Sequence, residues 1–215
     1  MKILRLLLVF ILGMAVFYSC KKKADDELSE EIHNIVPDSI LTKMESMGMP
    51  IFGGTTPPDF QNIYLASPYV LKKSTISSDV EGHTFSDYYV RFYDQDNDLL
   101  SVKLDYDNGP ENGSGLGGYI AGTNNSFSAF VKVNSTYNGD QAEIIHVISG
   151  TIIEGAIKNF YFANFMLDNK GNPHGYWIDE GQGRIIYDSD GNSPVVSAMP
   201  SKGGLGTTVS TVIAK

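Results

Sequence analysis

Cysteine occurs once in the 215 residues, at Cys20. No internal disulfide can form, so the fold must rest on a core of its own. Histidine is nearly as sparse, at His33, His83, His146 and His174, and no two of them share a metal-binding spacing. A zinc centre needs three or four clustered ligands. Basic side chains are also few, 16 against 25 acidic ones, for a formal charge of −9. No basic stripe and no aromatic-plus-basic cluster follows Lys23. Nucleic-acid binding, which is built on Lys and Arg neutralising phosphates, is therefore excluded. The Gly-x-Ser-x-Gly elbow of serine hydrolases is missing, and no internal repeat of fixed period is visible.

Long apolar runs are scarce too, with one exception at the start. Met1-Lys2-Ile3-Leu4-Arg5 carries two positive charges, and Leu6 to Phe17 is then uncharged up to Tyr18-Ser19-Cys20. Those 12 apolar residues fall short of the roughly 20 that a helix needs to cross a bilayer core. The order of a charged region, an apolar region and a small residue before a cut is that of an export signal, residues 1–19. Lys21 to Glu31 is almost wholly polar, and such a segment cannot offset its ordering entropy. Residues 20–34 are accordingly expected to form a flexible spacer, and residues 35–215 a single domain. Without residues 1–19 the balance is 14 basic to 25 acidic, a charge of −11.

A lone cysteine directly behind a signal resembles the lipobox of bacterial lipoproteins. There the cysteine is cleaved at its amino side and acylated with palmitate-type chains. Val16-Phe17-Tyr18-Ser19 departs from the common pattern and is similar to the relaxed lipoboxes of the Bacteroidetes. Asp25-Asp26-Glu27 is similar to the acidic surface-export signals of lipoproteins in that phylum, though placed a few residues late. The resemblance implies a lipid anchor at Cys20 in the outer membrane, facing the periplasm or the cell surface.

Composition points to β structure: 22 Gly and 23 Tyr plus Phe with 19% charged residues. One short helix is expected over 38–47, where Ile40, Leu41, Met44 and Met47 recur at helical spacing before Gly48. After the Pro-rich 53–58, strands are expected at 61–66, 69–74, 84–94, 99–106, 126–134, 141–149, 151–167, 175–179 and 183–187. Leu100, Val102, Leu104 and Tyr106 alternate with polar residues, the mark of a half-buried strand. The run 157–166 is apolar on both parities and must bend or be covered on both sides. Asn, Asp and Gly clusters between the strands, such as Asn138-Gly139 and Asp190-Gly191-Asn192, are hairpin turns.

Eight to ten antiparallel strands must close into a barrel or stack as two sheets. Helix, irregular lead-in and meander, in that order, resemble the lipocalin-like (calycin) barrels over about residues 55–190, with a β-sandwich as the alternative. The family carries a Gly-x-Trp on its first strand and a late Arg packed across that ring. Here Asn62-Ile63-Tyr64 stands in place of the motif, and Arg184 lies in a late strand. The resemblance implies a structural pair, Tyr64 with Arg184.

Candidate chemistry is thin. His146 shares a strand face with Ile144 and Ile148, as a core, rim or cavity histidine. Asp94-Gln95-Asp96-Asn97-Asp98 and Asp188-Ser189-Asp190-Gly191-Asn192 offer alternate oxygens for calcium, but neither completes the EF-hand loop, and turn chemistry accounts for both. Glu143, Glu154, Asp179 and Glu180 provide carboxylates without a defining spacing. Gly113-Ser114-Gly115-Leu116-Gly117-Gly118 lacks the Lys of a phosphate loop and reads as a flexible hairpin. No catalytic residue, metal or cofactor is assigned. The reading is a membrane-tethered, non-enzymatic protein that binds a small apolar or sugar-like ligand in a barrel. The alternative is an interaction module of the cell envelope with a packed interior.

Overall fold

A computed structural model describes residues 27–109 and 111–200. Cys20 and residues 1–19, expected from the sequence to be an export signal, lie outside the described residues. Two short helices, α1 (Glu30–Ile35) and α2 (Asp38–Ser46), precede eleven strands. These are β1 (Thr55–Thr56), β2 (Ile63–Ala66), β3 (Tyr69–Ser74), β4 (Tyr88–Asp96), β5 (Ser101–Asn108) and β6 (Glu111–Thr123). They continue with β7 (Ser126–Tyr137), β8 (Asp140–Ile153), β9 (Ala156–Asp168), β10 (Gly183–Asp188) and β11 (Asn192–Pro194).

Nine strands follow one another in the order β2-β4-β5-β6-β7-β8-β9-β10-β3, while β1 pairs with β6 and β11 with β9. Both ends of the path find partners. Val196 N–H donates to Ile63 O at 2.8 Å beside β2, and Leu71 N–H of β3 donates to His83 O at 2.8 Å. The result is a nearly closed antiparallel barrel, as the strand pattern implies. It departs from a simple meander in that β2 and β3 lie at opposite ends of the path.

Alternation sorts the side chains into two cores. Inside the barrel, Phe60, Tyr64, Tyr69, Tyr88, Phe92, Phe127, Phe160 and Phe162 are buried together. Phe60 stacks on Phe127 at 4.1 Å, and Tyr69 stacks on Tyr88 at 5.1 Å. Rings therefore fill the centre. Outside it, Ile32, Ile40, Leu41 and Met44 of the helices cover Phe130, Ile145, Val147, Ala163 and Phe165. This second layer explains the run 157–166: β9 is buried on both faces.

The structure corrects the sequence reading at four places. Residues 30–35 are helical, with the Ser29 hydroxyl accepting from Ile32 N–H and Ile32 fully buried, so the ordered domain begins before residue 34. Capping and one buried isoleucine outweigh the polar composition there. The run 151–167 is divided by a turn at Glu154-Gly155, where Gly155 has φ of 71°. Residues 175–179 form no strand but belong to the connection between β9 and β10. The glycine run 113–118 is no hairpin: it lies within the 13-residue strand β6.

Candidate functional site

The lower end of the barrel, where β5, β7 and β9 finish and β6, β8 and β10 begin, carries the features of interest. Strand β6 pairs with β7 only from Gly118 opposite Val131 to Thr123 opposite Ser126. Below that point β6 stays with β5 as far as Asn108 opposite Glu111, and β7 stays with β8 as far as Tyr137 opposite Asp140. The two hairpins diverge. Each leaves a strand edge, 112–117 on β6 and 132–136 on β7, facing the other across a seam.

A bulge makes the divergence. Leu104 is opposite Leu116 and Tyr106 is opposite Gly113, so Ser114 and Gly115 together face the single residue Asp105 and β6 carries one extra residue. Gly115 takes φ of 69° there, a conformation that suits glycine. Asp105 pins the bulge, its Oδ1 accepting from Gly115 N–H at 2.7 Å and from the Ser114 hydroxyl at 3.0 Å. A bulge bends its strand and increases the local twist, here away from β7. Just above the seam the strands meet closely: a Cβ on Gly118 would lie 2.5 Å from Phe130 O.

The seam holds a cleft of about 520 Å³ lined by Tyr106, Asn112, Gly113, Ser114, Leu116, Val133, Asn134, Ser135 and Thr136. None of these side chains is charged. Tyr106 and Leu116 contribute apolar surface, and the polar lining comes from Asn112 and Ser114 on one strand and Asn134, Ser135 and Thr136 on the other.

Behind Tyr106 a polar row crosses the interior. His146, Asn164, Arg184 and Ser74 lie opposite one another on β8, β9, β10 and β3. The His146 ring meets Tyr106 at 5.4 Å and Phe162 at 4.9 Å, both edge-on. Burial among these rings pushes its pKa down to about 3, so the imidazole is neutral. Asn164 Oδ1 accepts from Arg184 N–H at 3.2 Å, while its buried Nδ2 has no hydrogen-bond partner among the described residues. The connection 169–182 covers this end. Trp177 packs on Ala142, Ile144 and Met166, and His174 Nδ1 lies 2.9 Å from Asp140 Oδ1.

Arg184 binds Asp79. Its Nε and Nη2 donate to the Asp79 carboxylate at 2.6 and 3.1 Å, and the Ser74 hydroxyl donates to it at 2.6 Å. Burial raises the Asp79 pKa, but the bonds from Arg184 and Ser74 outweigh it and hold the carboxyl below its usual range. The expected pairing of Arg184 with Tyr64 is not what brings these strands together. Strand β2 neighbours β4 and Val195, strand β10 neighbours β9 and β3, and the Tyr64 ring tilts against Phe92 at 6.3 Å. A nearby carboxylate is the stronger partner for a guanidinium with 10% of its side chain exposed. Asp79→Ala is expected to destabilise the fold by about 3 kcal/mol, since it takes the two-point carboxylate contact from a largely buried cation. Adding Arg184→Ala should then cost less than it does alone, in denaturant unfolding of the four chains of the cycle. Tyr64→Ala and Arg184→Ala should instead add.

The other sequence candidates are dispersed. Asp96 Oδ1 accepts from Asp98 and Leu99 N–H, each at 2.9 Å, and Asp94 pairs with Lys103 at 3.0 Å. Asp188 Oδ2 accepts from the Ser193 hydroxyl at 2.6 Å, and Asp190 Oδ1 from Asn192 N–H at 2.8 Å. These are turn contacts. Glu143 forms a surface network with Lys132 and Lys170, Glu154 lies in the β8–β9 turn, and Asp179 and Glu180 lie exposed in the 169–182 connection. They do not converge on one site.

Sequence reasoning missed the β6 half of the seam and ended the β7 strand at 134, short of Tyr137. The signal was present in the glycine run, because glycines on both sides of a serine in a strand mark a bulge as well as a turn. The role of Asp79 had no local signal, since its partner is 105 residues away. No protein-family model, curated protein or solved structure matches the chain.

Proposed function

We propose that the chain is a lipid-anchored, non-enzymatic binding protein of the outer membrane, facing the periplasm or the cell surface. It holds a small, neutral, sugar-like molecule in the cleft between the lower halves of β6 and β7. The uncharged lining of that cleft carries the reading. Tyr106 and Leu116 suit the apolar face of a sugar ring, and Asn112, Ser114, Asn134, Ser135 and Thr136 suit its hydroxyls. The volume, about 520 Å³, is within the range of small-molecule sites. Rings occupy the centre, so the binding expected of a barrel interior moves to its wall.

Calorimetric titration with neutral and acidic oligosaccharides of equal size tests this. Neutral sugars should bind, and acidic ones should bind at least roughly tenfold more weakly, because a charge in an uncharged cleft loses hydration without gaining a partner. Ser135→Phe, which fills the cleft, should abolish the heat while leaving the unfolding midpoint within a few degrees. Equal binding of acidic sugars, or unchanged binding by Ser135→Phe, argues against the cleft. Failure of every sugar to bind favours the packed interaction module, to which the ring-filled centre also lends support.

A further inference from the structure

Residues 171–178, in the connection between β9 and β10, are folded on themselves. Asn169 Nδ2 donates to Ile178 O at 3.1 Å, Asn172 Nδ2 to Trp177 O at 2.7 Å, and Trp177 N–H to Asn172 Oδ1 at 2.9 Å. Among the described residues a single hydrogen bond ties this loop to a barrel strand, the one between His174 Nδ1 and Asp140 Oδ1 at 2.9 Å. Gly171 and Gly181, at either side, take φ of 77° and 71° and are small residues of the kind at which a loop hinges.

Under the loop two buried polar atoms have no hydrogen-bond partner among the described residues. They are Trp177 Nε1, on a fully buried side chain, and Asp140 Oδ2, on a residue 8% exposed. One is a donor and the other an acceptor. Buried polar atoms are rarely left unpaired in a native fold, so two beneath one loop call for an explanation. Both lie beside the cleft. Ala142 and Ile144, on which Trp177 packs, stand opposite Ser135 and Val133 of the cleft wall, and Asp140 is the next residue on that face of β8. The Trp177 ring also meets Tyr137 edge-on at 6.2 Å, directly after Thr136 of the wall.

We infer that residues 171–178 form a lid that opens to let a sugar in the cleft extend onto Trp177 and Asp140. A hydroxyl both accepts and donates, so one sugar edge takes the Trp177 N–H and gives to the Asp140 carboxylate. The indole offers its apolar face to the ring. Asp140 also repels an acidic sugar, which adds to the preference for neutral ones. This inference rests on the ligand reading of the cleft and deepens it, because the ligand is then an oligosaccharide longer than the cleft itself.

Two variants of the full chain test it, with maltotriose and cellotriose as probes. Trp177 is the only tryptophan, so its fluorescence reports on the lid. His174→Ala cuts the tether, and should shift the emission to the red and raise acrylamide quenching at least about threefold, as the open population grows. Circular dichroism should show the barrel unchanged. Emission as blue and as shielded as in the wild type overturns the lid. In calorimetry, His174→Ala keeps the carboxylate and should bind the sugars at least as tightly as the wild type. Asp140→Asn loosens the lid equally but lacks the anionic acceptor, and should bind roughly tenfold more weakly. Equal affinity of the two variants overturns the contact with Asp140, while the cleft reading stands if the wild type binds. A wild-type chain that takes up neither sugar removes the cleft reading and this inference together.

Discussion

Cys20→Ser is expected to move the mature domain from washed membranes to the soluble fraction almost completely. The expectation follows from what would remain without the proposed acyl chains. Among the described residues no helix is long and apolar enough to cross a membrane. The barrel offers lipid little, since its large exposed apolar side chains among those residues are the scattered Val80, Leu99 and Ile153. Each acyl methylene contributes roughly 0.8 kcal/mol, so two or three chains hold a protein essentially irreversibly, and their loss leaves nothing comparable. The apolar run Leu6 to Phe17 cannot substitute, because its 12 residues are too few to span. Fractionation followed by immunoblotting gives the answer, with circular dichroism confirming that the released domain keeps its β signal. Membrane retention of the serine variant contradicts a lipid anchor.

The second large effect is on stability in acid, and it belongs to His146. Its pKa is pushed down to about 3 by burial, while the unfolded chain carries an ordinary histidine near 6.5. Between those values the unfolded state binds a proton that the folded state refuses. Stability therefore falls as pH drops below about 6.5, with a slope approaching 1.4 kcal/mol per pH unit from this side chain. Asp79 adds a later loss. Its carboxyl is held below the usual range, so its contribution is present above about pH 4 and disappears as pH falls through the folded value. His146→Leu should flatten the curve between about pH 6.5 and 4 and leave the later Asp79 loss in place. Denaturant midpoints measured across that range decide it. A wild-type curve that is flat from pH 7 to pH 4 means that His146 is wetter than its ring contacts with Tyr106 and Phe162 imply.

The β character, the helix at α2 and most strand positions were legible because each is a local property. Leu100 to Tyr106 alternates, Ile40 to Met47 recurs at helical spacing, and Asn138-Gly139 makes a turn whatever surrounds it. The barrel followed from strand number and the cost of open edges. Long-range partnership was not legible. Arg184 stood out as a late arginine, yet nothing near it in sequence points to Asp79, which reaches it from the connection after β3. His146 showed its parity, but its burial depends on Tyr106 and Phe162 arriving from two other strands. The seam required knowing that Asp105 would pin Gly115 on the neighbouring strand, a contact that no periodicity encodes. Helix α1 was hidden in a polar stretch because a single buried isoleucine and a serine cap were enough to order it.

Native mass spectrometry of the protein isolated from its host membranes, compared with Ser135→Trp prepared in the same way, tests the cleft most directly. After the lipid mass is accounted for, the wild-type chain should carry one neutral adduct of sugar mass. Ser135→Trp, in which an indole occupies the space between β6 and β7, should carry none. An adduct of equal occupancy on both chains would place the ligand elsewhere in the barrel and contradict the account.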